Sequence, residues 1–361
     1  ALKYFTLAGD VALAAYANRE AEGYYRRALA LEPPTSKEAK LLSDLGEALA
    51  RQNRFQEAIA TWRQAIERCQ SLEDRDGIAQ LFARSAWAAS QAGETVERLR
   101  FCIEGLTQVG EAPDGPGLAR LLHETARAYA DHALREKGEP FARRALAMAE
   151  RLGDVEVQAL ALVTMSIFLY ASPEESIAMA ARAVELAEAH ELLVAGQRAH
   201  LHLAWRITAH RGASAGWIHY RQGAELARQA GLTAAQIHIL AQMVNKLLYC
   251  GKLEESQQTL CRLRVLLEDL HEPTRARLSL LESELRYLAA SGQWDACAQQ
   301  ARPILASMRE LGTIRDLALF AFLLGWAILE SRRLGTAPHA GEWQEAEAAL
   351  AEATGIFDRS L

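Results

Sequence analysis

Strand-forming patterns are missing from these 361 residues. No stretch alternates β-branched and polar residues, which excludes a sheet-based fold. Proline is scarce, nine in all, and most prolines stand between helical stretches. Long apolar runs are also absent. The two most apolar windows, Val157 to Ala171 and Leu317 to Leu329, fall short of the roughly 18–20 residues a bilayer-spanning helix needs. No membrane partner is expected. Positive charge is not in excess: 40 Lys and Arg face 46 Asp and Glu, for a net charge of −6. That balance argues against a nucleic-acid interface, whose phosphate contacts need a basic face, although a local basic patch stays open. The five cysteines (Cys69, Cys102, Cys250, Cys261 and Cys297) contain no C-x-x-C pair. Odd number and wide spacing point to reduced, buried thiols in a cytoplasmic protein rather than to a disulfide framework or metal site.

Catalytic signatures are absent as well. There is no G-x-x-x-x-G-K-[ST], no G-x-G-x-x-G, no H-E-x-x-H and no G-x-S-x-G. No enzyme and no bound cofactor is expected. Four of the ten histidines (His200, His202, His210 and His219) fall close together. His200 and His202 are two apart and do not share a helix face. A metal site needs convergent ligands, so these are expected on the surface or in a groove, with no metal.

What the chain does contain is helix formers and a repeat. Ala, Leu, Glu, Arg and Gln dominate, all with high helix propensity. A small–large–small pattern recurs: Ala21, Tyr25, Ala28; then Ala58, Trp62, Ala65; then Ser256, Leu260, Leu263; then Ala346, Leu350, Ala353. Each such helix follows another that carries a small or compact packing residue: Gly9, Gly46, Ala86, Ala126, Thr164, Ala204, Val244, Leu285 and Gly325. Their spacing is about 40 residues, sustained over nine units. Asn53, Gly93, Gly138, Ser172-Pro173, Gly212, Gly251 and Gly292 mark turns within units. Pro33-Pro34, Glu111 to Gly117, Arg151 to Asp154, Gln229 to Leu232 and Pro273 separate units. Helices of a hairpin approach closely only where side chains are small, and one hairpin cannot bury its apolar face alone, so the hairpins must stack. An Ala-rich bundle would not repeat the pattern at a fixed offset.

At these residues the chain resembles tetratricopeptide repeat proteins over essentially its whole length. Units one and two match best, and units five to nine are degenerate and longer by about six than the roughly 34 residues usual for that family. The ninth adds an insertion from Arg332 to Gly341. The resemblance implies an all-α, right-handed superhelical solenoid of about nine hairpins, with units near 1–34, 35–72, 73–113, 114–153, 154–190, 191–231, 232–271, 272–312 and 313–361. Because the pattern opens at Ala1 inside a helix, with no signal peptide, the expectation is one array cut from a longer polypeptide. The opening segment "YFTLAGDVALAAYANREAEGYYRRALALEP" and the later "ARRALAMAERLGD" are similar to arrays that follow the ATPase module in signal-transduction ATPases with numerous domains. That second resemblance implies a sensor of an inducer or protein, in a transcription regulator or cyclase-linked ATPase, whose nucleotide site lies upstream.

In such an array the first helix of each hairpin lines the concave surface. The residue after each packing residue should face the groove: Asp10, Glu47, Trp87, Arg127, Met165, Trp205, Asn245, Arg286 and Trp326. His123 and Glu282 lie one turn earlier. Trp and Arg are the residues that most often dominate binding energy. Arg127 and Arg286 suit a carboxylate or phosphate clamp. Trp87 and Trp205 suit stacking on a ligand, and His123, Asn245 and Glu282 suit orienting it. The competing reading is that the tryptophans fill the core, which the apolar neighbours of Trp326 favour for that residue. The expected partner is a peptide, protein or small-molecule inducer bound in this groove. The alternative is a constitutive scaffold docking a helix or peptide without any switch.

Overall fold

A computed structural model describes the backbone of residues 1–111, 113–132, 134–169, 172–268, 270, 274–311, 314–334 and 340–360. Every regular element among them is an α-helix. In chain order these are α1 (Leu2–Ala14), α2 (Asn18–Leu29), α3 (Thr35–Arg51), α4 (Phe55–Ser71), α5 (Arg75–Gln91), α6 (Thr95–Val109), α7 (Pro116–Asp131), α8 (Arg135–Leu152) and α9 (Val155–Phe168). There follow α10 (Pro173–Ala189), α11 (Leu193–Arg211), α12 (Trp217–Gln229), α13 (Thr233–Tyr249), α14 (Leu253–Glu268), α15 (Thr274–Ala290), α16 (Trp294–Leu311), α17 (Ile314–Leu334) and α18 (Ala340–Ser360). They form nine consecutive hairpins, the all-α repeat solenoid the periodicity predicts.

Two compact units make up the chain: residues 1–239 with 267–275, and residues 240–266 with 276–361. In the first, the second helices α2, α4, α6, α8 and α10 also pack on the next hairpin's first helix. The first helices α5, α7, α9 and α11 pack on one another in succession, forming an inner layer. In the second, α17 packs between α16 and α18.

The interlock within hairpins follows from side-chain volume. A methyl group placed on Gly46 would lie 2.2 Å from Nε1 of Trp62, and one on Gly9 would lie 2.6 Å from the Tyr25 ring. Tyr25 and Trp62 are buried against those bare backbones, and the Trp62 indole donates to the Ser43 carbonyl at 3.0 Å. Gly325 meets Leu350 in the same way at 2.6 Å. All nine packing residues of the first helices are buried.

Turn chemistry mostly falls where expected. Asn53 and Gly93 adopt positive φ, 60° and 86°, between paired helices, a conformation open chiefly to Gly and Asn. Gly138 is different. It lies inside α8, packed so closely that a methyl group would sit 2.6 Å from the Phe168 ring. It is therefore a contact glycine, not a turn residue. Two cysteines also depart from expectation: all five are free thiols, but Cys250, in the turn after α13, and Cys261, on α14, are exposed. Pro273 and residues 335–339 of the ninth-unit insertion lie outside the described residues.

Replacing Gly46 with Ala should therefore destabilise the fold by about 2 kcal/mol or more, since overpacking of a close contact costs about 1–3 kcal/mol. Gly23→Ala, on α2 with nothing within 4 Å of the added methyl, should instead stabilise it by about 0.5–1 kcal/mol. Denaturant midpoints of the two variants check the contrast.

Candidate functional site on the inner helices

The inner layer of α7, α9 and α11 carries a basic cluster. On α11, Arg198, His202, Trp205 and Arg206 recur at helical spacing and share one face. On α7, Arg127 occupies the corresponding place. The Arg127 Nη1 approaches His202 Nε2 at 3.4 Å, across 75 residues of sequence. The helix between them, α9, packs on both and presents a buried, apolar Met165 at this register. Trp205 meets His202 edge to face at 4.8 Å between ring centroids, and His238 of α13 at 6.0 Å.

Carboxylates lie close by but have another partner. Arg98, reaching in from α6, is buried and donates to Glu124 at 2.6 Å and to Asp131 at 2.5 Å. Burial pushes the Glu124 carboxyl up, but Arg98, His123 and Arg198 outweigh it and hold the carboxyl below its ordinary value. Arg127 has no ion pair with a carboxylate among the described residues. Burial disfavours its charge first, and the nearby Arg198 and Arg98 add to the effect, partly offset by Asp131 and Glu124. Its pKa falls to about 9. At neutral pH the guanidinium is thus still charged, but held so at a cost.

The expected site residues separate into distinct groups. Arg127 and Trp205 come together in this cluster, both half-buried. His123 does not face a groove. It is fully buried between α7 and α9, its Nδ1 at 3.3 Å from the Thr164 hydroxyl, and burial pulls its pKa down to about 3. At this place on α7, one turn before Ala126, the side chain points at α9 rather than at solvent. Trp87 is half-buried and packs edge-on against Phe55, at 6.0 Å. In the second unit, Asn245 and Arg286 both engage Glu282: Asn245 donates to it at 3.2 Å and Arg286 at 3.0 Å. Arg286 also donates to the Tyr249 hydroxyl at 3.2 Å. With Glu282 on its guanidinium, Arg286 is not the open clamp its sequence position suggests, and Asn245 is buried. Trp326, expected in the core, is 39% exposed and leans on Trp294 and Phe322.

Residues outside the expected set complete the cluster: Arg98, Glu124, Asp131, Arg198, His202 and Arg206. The signal for α11 was present, since residues 198, 202 and 206 repeat every four positions. His200 and His202 do point apart. His200 stacks on His219, with their Nδ1 atoms 3.1 Å apart. No group of three metal-ligating side chains gathers among the described residues, and no helix among them is long and apolar enough to cross a membrane.

These histidines set a pH dependence. Burial lowers His123 to about 3, and burial plus Arg127, Arg206 and Arg198 lowers His202 well below its ordinary value. Each is neutral when folded and takes up a proton on unfolding below about pH 6.5, so its stability contribution is present above that pH and lost as pH falls. Stability should drop by about 2 kcal/mol between pH 6.5 and 5 from His123 alone, with His202 adding in the same direction. His123→Gln should flatten the slope by one proton's worth, read from denaturant unfolding across that range.

No family model matches the chain, and no curated protein does either. Solved structures do match it. A Rap protein complexed with competence and sporulation factor superposes with a TM-score of 0.64 at 10% identity, over 99% of this chain and 98% of that one. Aspartyl phosphate phosphatase F from Bacillus subtilis gives 0.55 at 10% identity, over 99% and 94%. A signal-transduction ATPase with numerous domains from Pyrococcus horikoshii, which carries a tetratricopeptide repeat sensor, gives 0.53 at 14% identity. That match covers 94% of this chain and 50% of the other. At these identities the likeness is one of fold: the chain is a tetratricopeptide-like all-α helical repeat array.

Proposed function

We propose that the chain is a ligand- or partner-sensing repeat domain that binds a peptide or protein segment on the inner face of α7, α9 and α11. One observation carries the reading. A half-buried tryptophan and an arginine without a carboxylate partner stand together where neighbouring hairpins pack apolar side chains. Aromatic and arginine side chains in a partly desolvated setting are the usual sources of binding energy. The likeness to a Rap protein solved with a bound factor, and to an ATPase carrying a repeat sensor, supports the same reading. In a longer polypeptide, occupancy would be relayed to an upstream ATPase switch through changed packing of the hairpins. The domain itself performs no chemistry in this reading.

A random-peptide display library selected on the chain tests it. Enriched peptides should bind the native chain at least about tenfold more tightly than Trp205→Ala, the loss of one central anchor. Peptides that bind both equally would place recognition elsewhere. Hydrogen exchange separates a sensor from a constitutive scaffold: a sensor ligand alters protection in hairpins it does not touch, whereas a scaffold ligand protects only its own contacts.

A further inference from the structure

We infer that the unpaired donors of Arg127 and His202 form a seat for an oxyanion, a carboxylate or phosphoryl group borne by the ligand. The inference deepens the proposed function and rests on the inner face being the ligand-binding face. It begins with the direction of one hydrogen bond. A guanidinium can only donate, so His202 Nε2 must accept from Arg127 Nη1. The neutral ring then carries its proton on Nδ1. That Nδ1 is buried and has no acceptor, and neither has the buried Nε of Arg127. His202 is only 3% exposed. With Nη1 turned to His202, the Nε–Nη2 edge of the arginine remains, and this is the edge that takes a carboxylate or phosphate through two parallel bonds.

Two buried donors without acceptors are a costly arrangement unless something supplies oxygen. The local charge says what kind. The charged neighbours that act most on His202 are Arg127, Arg206, Arg198 and His238, all basic. Glu124 and Asp131 are engaged by Arg98. A neutral acceptor would satisfy the hydrogen bonds but leave the Arg127 charge without a carboxylate, whereas an oxyanion answers both. Trp205, in edge contact with His202, supplies an apolar wall beside the seat.

Isothermal titration of the full chain with inorganic phosphate and, separately, with citrate tests this in low-salt buffer. Saturable binding of either probe is expected, weakened at least about tenfold in Arg127→Gln, the loss of a charge-assisted pair. Arg228→Gln, at an exposed arginine paired with Glu225, should leave binding unchanged. Binding of phosphate alone identifies a phosphoryl ligand, and binding of citrate alone a carboxylate. Because the unliganded guanidinium is held charged at a cost, Arg127→Gln should also raise the thermal midpoint of the free chain. Arg127→Lys, which keeps the charge but not the fork, should bind weakly and serves as the second variant should the glutamine chain fail to fold. No binding of either probe by the native chain, undiminished binding by Arg127→Gln, or a lowered free midpoint in a folded Arg127→Gln would overturn the inference. Anion binding lost in Arg127→Gln, without any peptide dependent on Trp205, would keep the oxyanion seat and remove the peptide reading.

Discussion

The close approach of paired helices over bare backbone is the constraint from which the rest follows. Gly46 admits the Trp62 indole and Gly9 the Tyr25 ring at separations no Cβ would permit. Once the packing residue of a first helix is held against its partner, helical geometry fixes where its neighbours point. The residue one step later turns away from the partner helix, along the inner layer. What that layer contains is set by the residue type in a single column of positions, and the column can be exchanged without disturbing the interlock. The array thus separates a structural code, which is small opposite large, from the code on its inner face.

That separation explains what could be read without coordinates. Nine hairpins were legible because the packing code repeats, and repetition makes even degenerate units such as those of Thr164 and Val244 visible. Gly138 was misplaced because Gly serves two ends: it permits a turn and it permits contact, and only the contact with Phe168 tells which. The segment around Gly115 and Gly117 read simply as a breaker. In fact Asp76 of α5 accepts from the amides of Gly117 and Leu118 at 3.1 Å, tying successive first helices together where a side chain at residue 117 would strike the Asp76 backbone.

The inner face was legible only in part. Arg127 and Trp205 stood out by residue type within the column. Their grouping with His202 and Arg198 did not, because it depends on how far side chains of α7 and α11 reach past the buried Met165 of α9. His123 failed for a related reason. A position one turn from the column lies on the same helix face only for a straight, exposed stripe, and here packing of α9 on α7 covers it. Arg286 was misjudged because its partner Glu282, also counted toward the ligand, pairs with it.

Could the basic cluster simply be what this fold requires at that place? The neighbouring hairpins answer. At the same register α9 carries Met165, buried and apolar, and α5 carries Trp87, packed on Phe55. Both satisfy the inner layer with dispersion contacts alone. Nothing in the interlock of α7 with α8 depends on a cation at residue 127, since that hairpin closes through Ala126, Ala142 and Ala145, all fully buried. Elsewhere in the first unit buried charge is compensated: Arg98 has two carboxylates, and Glu47 has Arg51 at 2.8 Å and Arg84 at 3.8 Å. A buried charge that has been paired is consistent with structure, whereas removing its partner is strongly destabilising. Arg127, half-buried and without an ion-paired carboxylate, is closer to the second condition, since Asp131 and Glu124 offset only part of the cost to its charge. A fold that tolerates methionine or tryptophan at this register retains a guanidinium without an ion-paired carboxylate at a loss of stability, and an oxyanion arriving from outside the chain is the compensation that the geometry leaves open.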